Sequence, residues 1–75
     1  MPSEPNEIEE LLNQMISSQR TRLVELARRI APRLSEDDLM QPHDHDEIAR
    51  NPDFQFEDGI LAGYLAVRAA LRASR

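Results

Sequence analysis

His43, Asp44, His45 and Asp46 stand consecutively in the middle of a 75-residue chain and include both of its histidines. Two imidazoles flanked by carboxylates are a ligand set suited to zinc, nickel or iron. Asp37, Asp38, Asp53, Glu57 and Asp58 lie near enough in sequence to add oxygens. Histidines two residues apart converge on one ion only along an extended backbone, and the residues around them favour turns. The quartet therefore reads first as helix caps and a solvated acidic loop. The alternative is a divalent-metal-binding or pH-sensing module, because acidic neighbours favour the charged imidazole.

Other chemistry has less support. Ser17, Ser18 and Ser35 have no adjacent base, there is no glycine-rich phosphate loop, and the chain has no cysteine. A helical hairpin offers little concave surface for catalysis. The expectation is a protein that is not an enzyme and uses no cofactor.

The quartet sits in an elbow, residues 35–53, rich in helix-start signals. Ser35-Glu36-Asp37-Asp38 has the form of a capping box. Asp44 with Glu47 suggests a second cap, and Asn51-Pro52 a third, with asparagine as N-cap and proline at the first helical position. One or two short helical turns are expected here, with Leu39, Met40 and Ile48 tucked beneath them.

Residues 5–34 predict the first long helix. Ile8, Leu12, Met15, Ile16, Leu23, Leu26, Ala27, Ile30 and Leu34 recur at three- and four-residue steps and occupy an arc of roughly 120°. Pro5 suits the first turn, and Pro32 ends or kinks the helix. Gln19 interrupts the apolar arc. Its stem is expected to lie over the core with its amide in solvent; the other option is a polar tie that sets helix register.

Residues 53–73 predict a second long helix, apolar around most of its circumference. Phe56, Ile60, Gly63, Val67 and Leu71 form one stripe, and Leu61 and Leu65 point to the opposite side, among Glu57, Arg68 and Arg72. Phe54 and Phe56 are expected to plug the core at the elbow. Gly59-x-x-x-Gly63 would admit another backbone closely. One partner helix cannot cover both apolar sides, so Gly59, Leu61, Gly63, Tyr64 and Leu65 are the expected interface residues.

Charge placement selects an antiparallel pair. The first helix runs from Glu4, Glu7, Glu9 and Glu10 to Arg20, Arg22, Arg28, Arg29 and Arg33; the second runs from Asp53, Glu57 and Asp58 to Arg68, Arg72 and Arg75. Each complements its own macrodipole, and antiparallel packing places opposite charges side by side.

The expected fold is all-α: one domain, an antiparallel helical hairpin of two long helices joined by the elbow and completed by oligomerisation. So short a chain buries a small fraction of its surface, and without cysteine no disulfide can compensate. A net charge of −5 argues against nucleic acid as the main partner. The longest apolar run, Ile60 to Val67, falls well short of a membrane span, and the acidic start Met1-Pro2-Ser3-Glu4 lacks the form of a secretory leader. These features suggest a cytoplasmic protein-protein interaction module (an adaptor, regulatory subunit or co-chaperone-like hairpin) that binds a second copy of itself or another protein.

Overall fold

A computed structural model describes residues 5–74; Glu4 and Arg75, counted among the helix-end charges above, lie outside them. The described residues form helices α1 (Pro5–Ile30), α2 (Glu36–Leu39), α3 (Asp46–Ala49) and α4 (Pro52–Ala73), with a 3-10 turn at Pro42–Asp44 between α2 and α3. No strand occurs among them. The two long helices pack antiparallel: Glu9 near the start of α1 meets Arg72 near the end of α4, and Gln19 meets Glu57. No helix among the described residues is long and apolar enough to cross a membrane.

Local chemistry explains the boundaries. α1 stops at Ile30, two residues before Pro32, whose ring and missing N–H forbid continuation. Ser35 caps α2 reciprocally: its Oγ accepts from the Asp38 amide at 3.2 Å, and Asp38 Oδ2 accepts from the Ser35 amide at 3.2 Å. Asn51 Oδ1 accepts from the amides of Asp53 and Phe54 at 2.9 and 3.1 Å, and Pro52 opens α4. The Asp44 cap does not form. His45 is the N-cap of α3 and makes no side-chain cap bond.

The main core sits where the elbow folds back on α1. Leu23, Ala27 and Ala31 pack there with Leu39, Ile48 and Phe54, while Leu12 and Ile16 are buried farther along the hairpin. Leu39 and Ile48 thus belong to the core itself. Met40, expected beside them, is 74% exposed. A single helical turn cannot aim two consecutive side chains inward, and Leu39 takes the inner position.

Arg33 ties the α1–α2 link to α3 by a two-pronged hydrogen-bonded ion pair with Glu47, one prong at 2.9 Å and the other shorter. The hydrogen bond from Arg33 holds the Glu47 carboxyl below the ordinary carboxylate range, against partial desolvation, and the charges of Arg33 and His45 act in the same direction. The bond raises the Arg33 value in turn. A carboxyl with a depressed folded-state pKa stabilises the fold above its unfolded value, and that contribution disappears as the pH falls through the folded value. Glu47→Gln should therefore melt slightly below the wild type at neutral pH. The two curves should converge below the ordinary glutamate value of about 4.3. Thermal melts of both proteins between neutral and acid pH check this.

Candidate functional site

At 100° per residue the side chains of α4 divide into two arcs with different fates. Phe54, Glu57, Leu61, Leu65 and Arg68 face α1. Phe54 is buried, the other four are half-buried, and Leu61 packs against the core cluster. Phe56, Gly59, Gly63, Ala66, Val67 and Ala70 fall within an arc of about 100° on the far side, and all six are exposed. Ile60, Tyr64 and Leu71, all half-buried, lie along one flank of that arc.

This arrangement inverts the sequence-based orientation of the helix. The Phe56–Val67 stripe looks outward, and the side carrying Leu61 and Leu65 looks inward. Phe54 is a core plug, whereas Phe56 is 69% exposed. Of the five expected interface residues, Gly59 and Gly63 lie on the outward arc, Tyr64 on its flank, and Leu61 and Leu65 on the inner side.

Polar ties across the helix pair account for the inversion. Gln19 is 7% exposed, and its amide donates to the Glu57 carbonyl oxygen at 2.7 Å and to Glu57 Oε2 at 2.8 Å. Its amide does not reach solvent as expected; it is the polar tie. Glu57 Oε1 lies 3.6 Å from Arg22. Farther along, Arg68 donates to Asn13 Oδ1 at 2.9 Å and Arg72 pairs with Glu9 at 3.3 Å. Glu57, Arg68 and Arg72 of α4 are thus directed at polar groups on α1, and Asp58 at His43 of the elbow. Gln19→Ala would leave the half-buried Glu57 carboxylate without its amide donor. A cost of about 2 kcal/mol is expected. A double-mutant cycle with Glu57→Ala should show coupling of about 1 kcal/mol; additive losses would mean that the two side chains do not interact.

Gly59 and Gly63 have no role within the chain. Neither has a positive φ, and a Cβ on either would meet no atom within 4 Å beyond the adjacent residues and the backbone of its own helix. Interior helical glycine costs roughly 1 kcal/mol relative to alanine, and nothing in the hairpin offsets that cost. The outward arc carries no charged side chain from Phe56 to Ala70. The outward side of α1 is the reverse, with Glu10, Gln14, Thr21, Glu25 and Arg28 exposed.

The histidine quartet is dispersed by the elbow. His43 Nε2 lies 3.0 Å from Asp58 Oδ2 on α4, and its ring meets Phe54 edge-on at a centroid distance of 5.5 Å. His45 Nε2 lies 3.9 Å from Asp38 Oδ1 on α2. The two rings are thus engaged by carboxylates from different elements, and no three metal-competent side chains converge among the described residues. Asp44 and Asp46 are exposed. Beside His43 lies an open hollow of about 390 Å³ between α1, the elbow and α4, lined by Val24, Leu39, Met40, Phe54 and Leu61 with Asp58 at its edge.

No protein-family model matches the chain, and no curated protein or solved structure shows significant similarity to it.

Proposed function

We propose that this protein is a small helical interaction module that docks through the outward face of α4. One observation carries the reading: Phe56 and Val67 are 69% and 52% exposed on a helix face without charge, where two glycines lie open to solvent. Large apolar side chains exposed along one continuous face are the usual mark of a contact surface. Glycines without an internal role allow an incoming backbone to approach closely. The polar cross-ties from Glu57, Arg68 and Arg72 to α1 fix which side of α4 is turned outward. Binding here requires no rearrangement of the core.

The test is a paired substitution. Phe56→Glu/Val67→Glu should leave the melting temperature of the dilute protein within a few degrees of wild type, because both side chains are exposed. It should also abolish association, read as native mass of the protein purified alone and from its own lysate. Thr21→Glu, on the charged side of α1, is the control and should preserve association. Association that survives the double variant would overturn the proposal.

A further inference from the structure

We infer that the occupant of this face is a second copy of the chain, related by a two-fold axis that crosses the two α4 helices antiparallel between Gly59 and Gly63. The inference rests on the docking face proposed above and names its partner.

Surface area supplies the first argument. The chain exposes 5348 Å², whereas a folded monomer of 8.6 kDa should expose about 4,700 Å². The excess of about 650 Å², summed over the whole chain, is of the order that one subunit contributes to a small stable interface, roughly 600–800 Å². The elongation agrees: the radius of gyration is 14.5 Å, against about 11 Å for a compact chain of this length. Stacking two hairpins through α4 gives a four-helix assembly of the kind that buries such a surplus. Both α1 helices then remain outermost, with their charged sides in water.

Shape and charge select the antiparallel arrangement. A two-fold axis at the level of Leu61 sets Gly59 opposite the partner's Gly63, Phe56 opposite the partner's Ala66, and Val67 opposite the partner's Gln55. Each large apolar group then meets a smaller or flexible one, and the glycines meet at the closest approach. A parallel pair would stack Phe56 on Phe56 and Val67 on Val67, holding the backbones apart at the glycines. It would also align the two helix macrodipoles, whereas the antiparallel pair opposes them. An isologous contact also closes on itself, so assembly stops at the dimer.

Sedimentation of the purified chain from low-micromolar to near-millimolar concentration should show a shift to twice the 8.6 kDa protomer mass. Phe56→Arg should weaken self-association about tenfold or more. The chain lacks cysteine, which permits an orientation test. Gly59→Cys chains mixed with Gly63→Cys chains and oxidised should form the mixed disulfide in preference to either like pair. Like pairs in excess would overturn the antiparallel arrangement. A monomer at every concentration would overturn the second copy as occupant. The docking face itself would survive that result if a complex from lysate were still abolished by Phe56→Glu/Val67→Glu, and would fall if no complex depended on those residues.

Discussion

Phe54→Ala should remove about 3–5 kcal/mol of the protein's stability, whereas Phe56→Ala, two residues along the same helix, should barely alter it. Phe54 is 1% exposed and joins α4 to Leu39 and Ile48 of the elbow and to Leu23, Ala27 and Ala31 of α1. Removing a buried phenyl group costs about 3–5 kcal/mol, from lost transfer free energy and the cavity left behind. A 75-residue domain has a total stability of only about 4–11 kcal/mol. The edge-on contact with His43 is lost too. Phe56 offers nothing comparable for the dilute chain to lose, and its truncation should fall within about 0.5 kcal/mol. Helical circular dichroism followed through urea titrations of both variants measures the difference. Similar midpoints for the two would mean that α4 is not oriented as described.

Gly59→Ala/Gly63→Ala should have the opposite effect and stabilise the dilute chain by about 2 kcal/mol. Both glycines lie inside α4 without a positive φ, and the added methyl groups would meet no atom within 4 Å beyond the adjacent residues and the backbone of their own helix. Such a gain corresponds to a rise in melting temperature of about 10 °C for a domain of this size. The same methyl groups should weaken the proposed association, because in the inferred dimer they would stand where the second copy's backbone makes its closest approach. Stability and binding should therefore move in opposite directions in one variant. Low-micromolar thermal melts give the first value and concentration-dependent sedimentation the second. A destabilised double variant would show that the glycines serve the hairpin's own packing.

Much of the hairpin was legible because its boundaries are set by local chemistry. Ser35, Asn51-Pro52 and Pro32 act on amides within a few residues of themselves, so their effect can be read without tertiary structure. The two-sided apolar character of α4 was visible for the same reason. The direction in which that helix turns was not. Its two faces are comparably apolar, and periodicity alone does not choose between them. Read from the sequence alone, Glu57, Arg68 and Arg72 suggest the side of α4 that faces away from α1. They mark the seam, because Gln19, Asn13 and Glu9 wait for them on α1. The available clue was Gln19 at the centre of an apolar arc, which calls for a polar partner opposite. The Asp44 cap failed because the 3-10 turn at Pro42–Asp44 places His45, not Asp44, at the start of α3.

The central claim is that α4 presents an uncharged apolar face to its surroundings while Leu61 and Leu65 face α1. Methyl relaxation in dilute protein with a soluble paramagnetic agent tests it most directly. The account predicts strong enhancement at Val67, Ala66 and Ala70, weaker enhancement at Leu61 and Leu65, and loss of the Val67 enhancement as the protein is concentrated. Strong enhancement at Leu61 and Leu65 with Val67 shielded in the dilute protein would contradict it.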